Sequence, residues 1–101
     1  MKINQWELWW AYFAFEDNPS KKRRPVLVLD PQTVYVLSAK ITSHEARNQY
    51  GEYEIIHWQS AGLMKPSTIR LTQVQKLGYS DFDEKIGDLH PEDIRYIMAM
   101  I

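Results

Sequence analysis

Two runs of β-branched and aliphatic residues, Val26–Leu29 and Val34–Leu37, flank Asp30, Pro31, Gln32 and Thr33. β-Branched side chains suit a pleated, half-buried surface, and Asp-Pro followed by polar residues is turn chemistry. The stretch from Arg24 to Ser43 therefore predicts a β-hairpin, the feature that most restricts the possible folds. Alternation along its second strand puts Val34, Val36, Ser38, Lys40 and Thr42 on one face, and Tyr35, Leu37, Ala39 and Ile41 on the other. Antiparallel pairing carries Arg24 towards Lys40 and Thr42, so cations and a hydroxyl converge at one rim of the hairpin.

The flanking segments extend this β character. Trp6–Phe15 is apolar at odd and even positions alike, which predicts a strand covered on both faces. Glu16–Ser20 has loop composition, and Lys21–Arg24 is read as its basic continuation into the hairpin. Ser43–Gly51 is a second polar loop, followed by a short strand over Glu52–Ile56 and about one helical turn over Trp58–Leu63, stopped by Gly62. A further strand starts at Thr68 and extends to Leu71 or Val74. Ser80 followed by Asp83 has capping-box order and predicts a helix over 81–86 closed by Gly87. Pro91, followed by Glu92 and Asp93, starts a second helix over 91–100, with Ile94, Ile97, Met98 and Ile101 on one face. The expectation is one mainly β domain over 1–101: a small SH3-like barrel with short helices, one of them C-terminal.

Composition narrows the chemistry. A chain of 101 residues holds one modest core. It contains no cysteine, which rules out disulfides and thiolate chemistry. The three histidines, His44, His57 and His90, have no metal-ligand spacing, and no metal or cofactor is expected. With no long apolar span and no basic-then-apolar leader, the expected location is the cytoplasm, away from membranes. The formal net charge of −1 is weak for a nucleic-acid binder. Its distribution matters more: seven of the twelve lysines and arginines lie between Lys21 and Lys65, while Asp81–Asp93 carries six acids and one lysine. A surface polarised in this way can bind a polyanion on one side.

Several stretches together resemble the MazF/PemK-type toxins of bacterial toxin–antitoxin pairs. Arg24–Leu29 (Arg-Pro-Val-Leu-Val-Leu) is similar to that family's Arg-Pro-Val-Leu-Val strand, and Ala39–Ser43 to its strand ending in Ile-Thr-Ser. Pro66–Leu71 and Lys85–Leu89 follow in the same order. The resemblance implies a toxin that dimerises, pairs with a cognate antitoxin in a DNA-binding complex, and cleaves single-stranded RNA without a metal. Attack by a 2′-hydroxyl would leave a cyclic phosphate and a free 5′-hydroxyl. It also implies that Arg24 and Thr42 hold the catalytic positions. Two features depart from the family: Trp6 stands where glycine usually precedes the acid and aliphatic pair Glu7-Leu8, and the loop before Arg24 lacks its usual glycines.

Arginine suits charge stabilisation on a phosphate, since its planar fork donates two parallel hydrogen bonds. Thr42 would orient the phosphate through its hydroxyl. His44, two residues further on, is a candidate acid or base. Lys21, Lys22, Arg23, Lys40, Ser43 and Arg47 are candidate RNA contacts. Two alternatives stand beside this reading: a non-catalytic barrel that binds nucleic acid or peptide through Trp9, Trp10 and Tyr12, and a toxin homologue that has lost activity.

Overall fold

The computed structural model describes residues 2–15, 18–43 and 50–101. Six strands form one antiparallel sheet: β1 (Glu7–Ala14), β2 (Lys21–Pro31), β3 (Tyr35–Thr42), β4 (Glu52–Glu54), β5 (Thr68–Gly78) and β6 (Phe82–Asp88). Their order across the sheet is β4-β5-β3-β2-β1-β6, and a C-terminal helix, α1 (Pro91–Met98), follows β6. The sheet bends into a small barrel-like body of 30 × 29 × 26 Å, with β4 and β6 at its two hydrogen-bonded ends.

The central hairpin forms as the sequence predicts, with its turn moved towards the C-terminus. Strand β2 runs on to Pro31, and Val34, 80% exposed, lies in the turn instead of starting β3. A bulge between Val28 and Asp30 absorbs the extra residue, and Gln32 N–H closes the turn on Tyr35 C=O at 2.8 Å. Lys21–Arg24 is the tip of β2 and not a loop, paired residue by residue with Ala14–Ala11 of β1. Two of these four successive cations, Lys21 and Arg23, meet acids from beyond β1. Lys21 Nζ reaches Asp81 at 2.9 Å, and Arg23 Nε reaches Asp83 at 2.8 Å after crossing the Trp10 ring, 4.6 Å from its centroid.

Two buried clusters account for the double-sided apolar character of β1. Trp9, Ala11 and Phe13 pack with Ile3, Val26, Val28, Val36, Leu77 and Phe82. On the other face Leu8 packs with Leu27, Ala39, Ile41, Ile69 and Ile97. Trp9 is 6% exposed and meets Phe82 edge to face, so it cannot serve in an exposed aromatic platform. Trp6 has φ of 71°, a left-handed conformation that costs a bulky L-residue energy and glycine almost none. Glycine is therefore the natural residue for this position. Here Trp6 is held there by N–H donation to Val28 C=O at 2.8 Å and by Leu89 N–H donating to its own C=O at 2.9 Å.

The helix expected over 81–86 does not form. Tyr79–Asp81 is one 3-10 turn, whose Asp81 carboxylate accepts from Gly78 N–H at 3.0 Å, and Phe82–Asp88 pairs with β1 as β6. The capping signal is real but serves a single turn, because Phe82 is needed in the core beside Trp9. Gly87 has a different purpose: a Cβ there would collide with the Ala61 carbonyl. The turn over His57–Leu63 does form. Leu63 N–H donates to Trp58 C=O and Gly62 N–H to Gln59 C=O, both at 3.0 Å, with Gly62 at φ 94°, so the turn closes as a Schellman motif.

Helix α1 begins at Pro91 as expected and stops at Met98, short of residue 100. His90 Nδ1 accepts from Glu92 N–H at 3.0 Å as its N-cap. Asp93, fully buried, accepts from Tyr53 Oη at 2.5 Å and from the backbone N–H groups of Ile56 and His57 at 2.8 and 3.0 Å. That carboxylate clamps α1 to the segment after β4.

Candidate functional site

The β2–β3 pairing ends with Val26 opposite Lys40, and Arg24 and Thr42, each two residues beyond that pair, line one cavity. From Thr42 a row runs to Thr68 on β5 and Glu54 on β4. The next row runs from Val26 through Lys40 and Arg70 to Glu52. Directly paired residues share a sheet face at spacings of about 4.8 Å, so each row is a short polar line across neighbouring strands.

The rows end at a rim with two cavities. One, of about 670 Å³, is lined by Arg24 and Thr42 together with Lys22, Arg23, Trp10 and Ser43, and by Leu63, Met64 and Lys65 opposite. The second, of about 500 Å³, is lined by Glu54, Trp58, Thr68, Ile55, Ile56 and Pro66. Ser43 and Ser67 line both, which makes the cavities neighbours. The wall opposite β2 and β3 depends on glycine. Gly62 lies so close to Ile86 that a Cβ would come 2.6 Å from its carbonyl oxygen.

Arg24 is half-buried, and among the described residues no acid pairs with it. Burial, and then the nearby charge of Arg70, lower its pKa from the ordinary value. Both effects penalise an uncompensated guanidinium, and the attraction of a bound anion would offset them. Arg70 is itself 8% exposed; its Nε lies 3.8 Å from Glu52 Oε1 and has no hydrogen-bond partner among the described residues. Two arginines and Lys40 thus stand within adjacent rows at one rim. The same rows end in Glu52 and Glu54, so the rim carries both signs of charge.

The other sequence candidates divide. Lys22 and Ser43 line the Arg24 cavity, whereas Lys40 lies one row deeper, opposite Arg70. Arg23 lines the cavity while bound to Asp83, and Lys21 is tied to Asp81 outside it. His44 and Arg47 lie outside the described residues. Sequence reasoning missed Arg70, Glu54 and Trp58 as neighbours of the rim. The first two sit on strands joined to the hairpin only through tertiary pairing, and for Trp58 the only local signal was the glycine-stopped turn that carries it.

Among the described residues, no group of three or more histidines, cysteines or acids could hold a metal ion, and no helix is long and apolar enough to cross a membrane. No curated protein matches the chain. Among solved structures, the Mycobacterium tuberculosis toxin MazF-mt6 is similar, with a TM-score of 0.72 over 94% of this chain and 91% of that one. At 24% identity that likeness speaks to the fold. A family model described as PemK-like, MazF-like toxin of type II toxin–antitoxin system matches residues 4–101 and so takes in every strand of the sheet and both sides of the Arg24–Thr42 rim. The chain belongs to the PemK-like, MazF-like toxin family of type II toxin–antitoxin systems.

Proposed function

We propose that this chain is the toxin of such a pair and acts as an endoribonuclease on single-stranded RNA. The observation that carries the reading is that Arg24 and Thr42 line one open cavity, with no acid of the described residues neutralising the arginine. The reaction changes no oxidation state and needs no co-reactant. The 2′-oxygen bonds to the adjacent phosphorus and loses its proton, the bond from phosphorus to the 5′-oxygen breaks, and that oxygen takes up a proton. The products are a 2′,3′-cyclic phosphate and a 5′-hydroxyl. Charge grows on the non-bridging oxygens, where the Arg24 fork donates, while the Thr42 hydroxyl orients the phosphate. Arginine is a poor base in its ordinary state, but burial and Arg70 both push Arg24 towards easier proton loss. A share in proton transfer is consistent with that, and His44 is the other candidate.

Lys22, Ser43 and Lys40 hold flanking phosphates and sugars in this reading, and Lys21, Arg23 and Arg47 extend the electrostatic track. The active form is a homodimer held inactive by a cognate antitoxin, whose acidic residues compete with RNA for the same cations. Purified protein incubated with a defined RNA in the presence of chelator tests the reading. Fragments ending in cyclic phosphate and 5′-hydroxyl are expected. A substrate with deoxyribose at the cleaved position should stay intact, because the nucleophile is missing. Cleavage of that deoxy substrate, or no cleavage of any RNA, would sink the proposal.

A further inference from the structure

The second cavity holds a combination that phosphate chemistry does not use. Glu54 supplies a carboxylate at the end of the row containing Thr42 and Thr68, and Trp58 supplies an indole. Trp58 is half-buried, packed on the core around Ile55 and Ala61 while also lining the cavity, so its ring is held in place from behind. The rest of the lining mixes the apolar Ile55, Ile56 and Pro66 with the hydroxyl-bearing Ser43, Ser67 and Thr68. A mainly polar cavity with one aromatic and one carboxylate suits a planar group that carries hydrogen-bond donors. A carboxylate at this place would repel a phosphate. It is well suited to the edge of a base.

Position connects this slot to the cleavage site. Thr42 and Glu54 are two strand spacings apart, about 10 Å, a separation that a sugar and a splayed base can span. The shared Ser43 and Ser67 leave the cavities adjoining. Single-stranded RNA is recognised by this means: bases unstack, lie on aromatic side chains and offer their Watson–Crick edges to polar groups.

From this geometry we infer that the cavity of Glu54 and Trp58 is a nucleobase subsite selective for guanine in the nucleotide next to the cleaved phosphate. The inference rests on the ribonuclease reading above and adds a base preference to it. Guanine presents two donors side by side, N1–H and the 2-amino group, and a carboxylate can accept both. Its two oxygens carry about four acceptor positions, so the pairing is compatible with a further contact to Glu54 from the protein. The other bases place an acceptor beside the donor: N1 beside the amino group in adenine, N3 in cytosine, and carbonyls on both sides of N3–H in uracil. Each of these acceptors would face carboxylate charge. Trp58 contributes stacking to any base and selectivity to none.

Binding can be measured apart from cleavage. Fluorescence anisotropy with short all-deoxy oligonucleotides, which lack the nucleophile, would compare guanine, hypoxanthine, adenine, cytosine and uracil at one position in turn. Guanine is expected to bind roughly 10- to 100-fold more tightly than adenine, cytosine or uracil, with hypoxanthine, which lacks the 2-amino group, in between. Glu54→Gln should remove the preference, because its amide donor meets a guanine donor. The exposed position of Glu54 leaves the fold of this variant intact. Trp58→Leu, which keeps apolar volume, should weaken all bases by a similar factor while guanine remains preferred. Equal binding of every base, a guanine preference that survives in Glu54→Gln, or no binding at all would overturn the inference. Cleavage of ordinary RNA without guanine preference would do so too while leaving the ribonuclease reading in place. Guanine-selective binding by a protein that cleaves nothing would support the subsite and remove the ribonuclease.

Discussion

Arg24 and Glu7 illustrate opposite uses of a partly withdrawn charge. Arg24 stands beside Arg70 without a paired acid among the described residues, so a bound anion would offset its electrostatic cost. Removing it takes away charge stabilisation worth about 2.7–4 kcal/mol at a transition state, or roughly 100- to 1,000-fold in rate. Initial cleavage rates should show that loss in Arg24→Ala with an unchanged circular-dichroism spectrum; wild-type rates would remove Arg24 from the chemistry. Thr42→Val preserves the β-branched shape and deletes the hydroxyl, so a fall in cleavage rate there isolates the hydrogen bond from packing. Glu7 is fully compensated. Burial would raise its pKa, but hydrogen bonds from Asn4 N–H, the Trp9 indole, the Asn4 amide and Lys85 outweigh this and hold it at about 2 against an ordinary 4.5. A depressed carboxylate stabilises the fold above its unfolded pKa, and the contribution is lost as pH falls through the folded value. Glu7 therefore contributes on the order of 3 kcal/mol at neutral pH, declining between about pH 4.5 and 2. Urea midpoints of Glu7→Gln should lie below wild type at pH 7 and approach it near pH 2; a constant gap would contradict the assignment.

Among the elements, the turn over His57–Leu63 and strand β6 are coupled through two glycines. Gly87 admits the Ala61 carbonyl where a methyl group would overlap it, and Gly62 lies against the backbone of Ile86. Both contacts are backbone to backbone, so neither neighbour can rotate away. Gly87→Ala should cost about 1–3 kcal/mol, the usual range for overpacking. For a domain of this size that lowers Tm by about 4–8 °C per kcal/mol, measurable by calorimetry. Because Gly62, Leu63 and Met64 form the wall facing Arg24 and Thr42, the same variant should also lose cleavage activity. An unchanged Tm would show that the approach is looser than the geometry indicates.

For the whole molecule, the question is which apolar surface remains after folding. Ile97 is fully buried and Ile94 packs against the core, so α1 spends on its own chain much of the apolar face that the sequence suggested for a partner. Met98, Ile101, Tyr96 and Ile56 remain exposed around α1 and the segment beneath it, while Tyr12 and Phe15 are exposed at the far end of β1. A domain this small gains stability by covering such surface with a second copy. Sedimentation equilibrium at micromolar concentration should therefore give about twice the chain mass of 12.0 kDa. A stable monomer would contradict the dimer. Charge completes the picture at this scale: the acids of Asp81–Glu84 neutralise Lys21 and Arg23 within the sheet, leaving Lys22 and Arg24 to face the cavity.

The hairpin, the start of α1 and the meeting of Arg24 with Thr42 were legible along the chain because each rests on short-range rules. Alternation with period two sets a strand's faces, turn residues set the register, and proline followed by acids marks a helix start. The MazF-like stretches were legible for the same reason, as they are contiguous words along the chain. Segment 81–86 shows the limit of such rules. A capping pattern was present at Ser80–Asp83, yet the edge-to-face contact of Phe82 with Trp9 and pairing with β1 outweighed the local preference for helix. Packing also explains why Lys21–Arg24 is strand, since Lys21 and Arg23 meet acids some sixty residues away along the chain. Asp93 looked like a helix-dipole acid and proved to be a buried clamp on three donors from another segment. Glu54 and Trp58 came to lie beside the rim of Arg24 and Thr42 only because β5 bridges β3 and β4. Local sequence can state what a segment prefers, but which preference prevails depends on burial and pairing energies between segments that meet only when the chain has folded.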